Sequence, residues 1–163
     1  MEVNGLPLHV LVVHAAVVFC PLAALAGLAY AARPGWRWLL RWPLLVLAAA
    51  AVFFSLLARL SGQAMLDDRP FLLQSDPLRE RVLLHQDRGE VVVWFALAFL
   101  VASLLSAWSL GGRTALASGR GARETRTGLV GTSSMALLGV TAIALLVITV
   151  LAGDAGSQAV WGS

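Results

Sequence analysis

An all-α integral membrane protein, with four transmembrane helices forming one bundle and both termini on the outer side, is what the 163-residue sequence predicts. Three observations carry that prediction. Hydrophobic residues make up 59% of the chain and charged residues 13%, against roughly 45–50% and 25% in soluble domains. Four apolar runs, at about 6–32, 43–60, 91–110 and 129–151, approach the roughly 20 residues that cross ~30 Å of hydrocarbon. The twelve basic residues are all arginines and gather mainly between those runs. A net charge of +3 and a pI near 10.4 do not imply nucleic acid, because no basic, aromatic-interleaved solvated face accompanies them. The partner implied is the lipid bilayer.

The first run follows Met1, Glu2, Val3 and Asn4 with no arginine before Arg33. It lacks the basic start of a secretory leader and is expected to be retained. Pro21 within it removes a backbone donor and predicts a kink. Ala23, Gly27 and Ala31 recur every fourth residue, so another helix can approach closely. Cys20, the single cysteine, excludes an internal disulfide and reads as a packing residue. The second run is short, but Arg41 and Arg59 at its ends can snorkel, and its helix can continue to Ala64. In the outer segment 61–90, Asp76-Pro77 is a helix-start signal. It predicts a helix running unbroken into the third span, with Leu78, Val82, His85, Gly89 and Val92 on one face. The segment 111–128, rich in Gly, Ser, Thr and Arg, reads as a flexible inner connector before the fourth run.

Arginine asymmetry sets the orientation. The loop at 33–42 holds Arg33, Arg37 and Arg41, and 111–128 holds Arg113, Arg120, Arg123 and Arg126 against Glu124. Both are expected at the cytoplasmic face of the membrane. Trp36, Trp38, Trp42 and Trp108 then form the inner aromatic belt, and Trp94 and Trp161 the outer one.

Ionisable side chains at membrane depth are candidates for function, and all three histidines fall on the outward half. At ~1.5 Å per helical residue from the inner arginines, His9 and His85 differ in height by ~6 Å and His14 and His85 by ~13 Å. Asp154 reaches the level of His85. An outer-rim cluster of His9, His85 and Asp154, with His14 deeper, is therefore expected. Five residues separate His9 from His14, which on a regular helix turns them about 140° apart. The chemistry open to such a set is axial ligation of haem b by His9, His14 or His85, or a Zn or Cu ion on His9, His85 and Asp154.

The run GLPLHVLVVHAAVV, from Gly5 to Val18, resembles the opening of the membrane proteins grouped as domain of unknown function 2231. These begin with two histidines five apart in a pattern close to HPxxVHxP and carry another just before the third span. His9, His14 and His85 match those places, and LAGDAGSQAVWG matches the Gly-rich close. The sequence departs at Val10, where proline is usual, and its next proline is Pro21. Some relatives are joined to Rieske-type iron–sulfur domains, so the resemblance implies membrane electron transfer with haem on the histidines. With one cysteine, this chain would need a separate redox protein as partner.

Three functional readings stay open: a redox-associated protein binding haem or a metal ion, a cofactor-free structural or assembly subunit of a membrane complex, and a small transporter. The spans lack the buried acids or arginines of an ion path. A stand-alone hydrolytic enzyme is not expected, since no Ser, Cys or Thr nucleophile sits beside a plausible base.

Overall fold

The computed structural model describes residues 2–3, 6–110 and 128–161. Apart from Gly128, the connector expected at 111–128 lies outside the described residues. A two-residue strand pair opens the chain, β1 (Glu2–Val3) antiparallel to β2 (Leu6–Pro7), with Glu2 opposite Pro7 and Val3 opposite Leu6. Four long helices follow: α1 (Leu8–Ala32), α2 (Arg37–Asp68), α3 (Asp76–Leu110) and α4 (Leu129–Trp161). Short 3₁₀ turns at Pro34–Trp36 and Pro70–Leu73 join α1 to α2 and α2 to α3. Proline begins each turn, where its fixed φ suits a helical start and its missing N–H costs nothing.

Each helix contains an apolar window long enough to span a bilayer, with mean hydropathy of 2.3, 2.2, 2.3 and 2.7 in chain order. The helices outrun the apolar runs. α2 begins six residues before position 43 and continues eight beyond position 60, since helix formation needs backbone pairing and not lipid. α3 starts at Asp76, where the Asp-Pro signal places it. α1 begins at Leu8 because Leu6 and Pro7 pair with β1, and it runs without interruption through Pro21.

α1 packs on α2 and α4, and α3 packs on α4 and α2. Small side chains line the shared core: Ala23, Ala24, Gly27, Ala48, Ala51, Ala96, Ala102 and Ala142 are buried. In lipid, helices gain no hydrophobic energy by meeting, so close backbone approach and dispersion contact must hold them. Phe99, Leu138 and Leu145 fill the space between. Among the buried serines and threonines, Ser103, Thr141 and Thr149 donate to carbonyls one turn back, and Ser106 donates across to the Ser134 carbonyl of α4 at 3.0 Å. The tryptophans of both expected belts face away from the core, from Trp38, 48% exposed, to Trp161, 83% exposed.

Candidate functional site

α1 and α3 start, and α2 and α4 finish, at one end of the molecule, which is called the termini end below. There His9 comes from the first turn of α1 and His85 from the third turn of α3. Their ring centres stand 6.1 Å apart at an interplanar angle of 72°. His9 Nδ1 lies 3.0 Å from the Ala58 carbonyl of α2 and 3.3 Å from Ser61 Oγ, whose hydroxyl donates to that carbonyl. His85 Nδ1 lies 3.0 Å from the Ala152 carbonyl of α4. A carbonyl can only accept, so Nδ1 carries the proton in each ring. In a neutral imidazole so bonded, Nε2 is the nitrogen that keeps its lone pair.

The two histidines are held by the same device. A Cβ placed on Gly62 would stand 3.0 Å from His9 Cε1 and 3.2 Å from its Nδ1, and one on Gly156 would stand 2.9 and 3.1 Å from the same atoms of His85. In both cases the accepting carbonyl belongs to the alanine four residues before the glycine, Ala58 before Gly62 and Ala152 before Gly156. On a helix that spacing stacks carbonyl and glycine on one face. The missing side chain lets the Cε1–Nδ1 edge of the imidazole come up against the backbone it bonds. The windows ARLSG (58–62) and AGDAG (152–156) hold this arrangement without obvious likeness, although the sequence shows no repeat. Their small-x-x-x-small spacing is the signal that points to them, and the sequence reading passed over it.

Nitrogen NMR of labelled histidines should show the Nδ1–H tautomer for both rings. Gly62→Ala should perturb His9 alone and Gly156→Ala His85 alone. Gly89→Ala, whose Cβ would meet nothing within 4 Å, should disturb neither. A dominant Nε2–H signal would overturn the cradle.

His14 and Asp154 do not join the pair. His14 is exposed, and its Nδ1 donates to the carbonyl of Val10 in its own helix at 2.6 Å. The 140° turn from His9 directs it away from the core. Asp154 is exposed and accepts from Gln158 Nε2 at 2.8 Å, with Arg88 Nη1 3.9 Å away. Of the expected outer-rim set of His9, His85 and Asp154, the structure brings His9 and His85 together, while Asp154 bonds to Gln158. Among the described residues, no group of three or more His, Cys, Asp or Glu side chains is arranged to hold a metal ion.

Three hollows surround the pair. One of about 90 Å³ is shared by both imidazoles and lined also by Met65, Val82 and Gly89. A cleft of about 350 Å³ opens on the other side of His9, past Ser61, Met65, Asp68 and Arg69. Below His85 a hollow of about 60 Å³ reaches Cys20, Ser55 and Thr149, where Cys20 Sγ and Ser55 Oγ are 3.4 Å apart. Arg59 and Glu90 pair across α2 and α3 at 3.3 Å beside the shared hollow.

Four long apolar helices around a core of small residues define an all-α membrane protein with four candidate spans. The family model described as predicted membrane protein (DUF2231) matches residues 5–163, and the chain belongs to that family. No curated protein and no solved structure matches it.

Proposed function

We propose that this chain is a redox-associated membrane protein holding a metal ion between His9 and His85, and that the ion is copper. The observation that carries the reading is the pair of imidazoles 6.1 Å apart, each with Nδ1 tied to a carbonyl of a different helix. Ligating histidines are oriented in this way, the second nitrogen being fixed by an acceptor behind it. At that spacing the two imidazoles are near enough for both to hold one ion, for metal–nitrogen bonds of ~2.0–2.1 Å.

The donor set supports copper over the alternatives. Met65 lines the same hollow, and a thioether beside imidazoles selects Cu(I). A closed zinc site would need about four ligands, and no described carboxylate joins the histidines. A b-type haem finds less support, because the hollow that both rings share measures about 90 Å³. A macrocycle needs hundreds of Å³. When bound, copper would supply one-electron transfer. The chain's part is to present two lone pairs, exclude lipid with α2 and α3, and keep both rings oriented from behind.

The cofactor-free structural reading draws support from the same bonds, since each imidazole already clasps two helices. A transporter finds less, because among the described residues no acid or arginine is fully buried. Elemental analysis and copper titration of the purified chain separate the first two. About one copper per chain is expected, without a Soret band, whereas a metal-free protein that does not take up Cu(I) would leave the clasp alone.

The arginine asymmetry supports placing both termini outside a bacterial plasma membrane, where a separate redox protein would meet the site. In intact cells an impermeant thiol reagent should label a cysteine introduced at Ser75 and spare one at Ser118. The opposite pattern would invert the topology.

A further inference from the structure

At the other end of the molecule, α1 ends in a cluster of donors that lacks an acceptor. Tyr30, in the last turn of α1, is fully buried, and its hydroxyl has no hydrogen-bond partner. Arg41 Nε is also buried and unpartnered. Arg37, one turn before Arg41 on the same face of α2, is fixed by its own bonds. Its Nε donates to the Tyr30 carbonyl at 3.2 Å, and Nη2 reaches the Ala31 carbonyl at 3.5 Å and Met135 Sδ at 2.8 Å. It thereby closes the C-terminus of α1, where the last carbonyls lack helical partners. Its guanidinium carbon lies 5.9 Å from the Tyr30 ring centre. Arg37 and Arg41 are the two charged groups that act on the Tyr30 phenol. Among the described residues, carboxylates are confined to the termini half, so no described acid balances these two cations.

Buried polar groups in native proteins are nearly always paired, and a buried charge needs a counter-charge. The orphaned Tyr30 phenol and the orphaned Nε of the Arg41 guanidinium, with Arg37 one turn away, share one unmet need, an oxygen that accepts and carries negative charge. A water would satisfy the phenol but leave the charge. We infer that Tyr30, Arg37 and Arg41 form a binding site for an anionic phosphate group at the membrane boundary. The phosphodiester of a lipid headgroup and free phosphate offer that same chemistry. The tryptophans Trp36, Trp38 and Trp42, exposed along the 3₁₀ turn and the start of α2, mark the level at which headgroups lie. Tyr30 O–H and Arg41 Nε–H would donate to phosphate oxygens, and Arg37, already committed to α1, would supply charge. This site is independent of the histidine pair.

Native mass spectrometry of the full chain, delipidated and then exposed to equal phosphatidylglycerol and phosphatidylcholine, tests the inference. The wild type should retain phosphatidylglycerol preferentially, and Arg41→Gln should cut the preference about fivefold, the effect expected of one arginine near anionic headgroups. Tyr30→Phe keeps the ring and removes one donor, for a loss of about threefold. Arg33→Gln should leave the preference intact, because Arg33 stacks on Trp36 with its guanidinium carbon 5.4 Å from the ring centre. A thermal shift with inorganic phosphate, present in the wild type and absent in Arg41→Gln, would assign the site to free phosphate if no lipid preference exists. Equal retention of both lipids with no phosphate effect would overturn the site. So would variants at 30 and 41 that match the wild type, or an equal loss in Arg33→Gln, which would reduce the effect to general charge attraction.

Discussion

Replacing His85 with alanine is expected to abolish stoichiometric copper binding, and replacing His9 should do the same. Each removes one of two nitrogen donors, and the remaining imidazole with the Met65 thioether cannot hold the ion alone. Loss of a group that merely orients a ligand costs 10–100-fold in metal affinity, so loss of a ligand should exceed about 100-fold. Met65→Leu keeps the volume and should weaken Cu(I) more than Cu(II), since thioether sulfur favours the softer ion. His14→Ala and Asp154→Asn should bind copper as the wild type does, because His14 is bonded within its own helix and Asp154 to Gln158. The structural role alone would give another pattern. Each histidine variant would then lose about 0.5–1.5 kcal/mol with its one interhelical hydrogen bond, with no metal to lose. Unchanged copper content in both alanine variants would end the ligand assignment.

The second large effect is expected at Gly27, far from the histidines. A Cβ there would stand 2.7 Å from Phe99 Cε2 and 2.9 Å from Cζ, with Leu138 Cδ1 at 3.5 Å. The Phe99 ring is fully buried and has no open space to yield into. Gly27→Val should therefore destabilise the helix packing by about 3 kcal/mol, the upper part of the range for overpacked cores. Gly139→Val makes the same exchange on α4 where nothing lies within 4 Å, and should cost little beyond its helix propensity. Combining Gly27→Val with Phe99→Leu should recover part of the loss, a coupling expected only of residues in contact. Unfolding in a detergent mixture reads all four proteins. Equal stability of the Gly27 and Gly139 variants would show that α1 and α3 do not meet at this point.

The small-residue stripe at Ala23, Gly27 and Ala31 was legible as a packing face because its spacing repeats the helical turn. Its partner was not, since nothing in α1 names Phe99. The start of α3 was legible because Asp76-Pro77 is local chemistry, and the inward stripe from Leu78 to Val92 could be followed since that helix begins in a polar segment. The same arithmetic of height brought His9 near His85. It also brought Asp154 to the rim, where its bond is to Gln158, because height carries no information about direction. Met65, Gly62 and Gly156 escaped notice for a related cause: a methionine or glycine in a small-residue-rich chain gains meaning only from the ring it faces.

The sequence by itself determined that four helices of sufficient length and apolarity form, where arginines and tryptophans interrupt them, and which side chains are chemically able to act. These properties are local, fixed by hydrogen bonding along each helix and by the cost of placing polar groups in hydrocarbon. Only the tertiary structure decided which way each helix faces: His9 toward His85, His14 outward, Asp154 toward Gln158, and Tyr30 inward between Arg37 and Arg41. In a soluble helix the apolar stripe would have given that rotation away. Here the lipid-facing and core-facing sides are both apolar, so the pattern that normally encodes facing is erased. Rotation is set by small residues, glycine cradles and interhelical hydrogen bonds, whose partners lie far away in the chain.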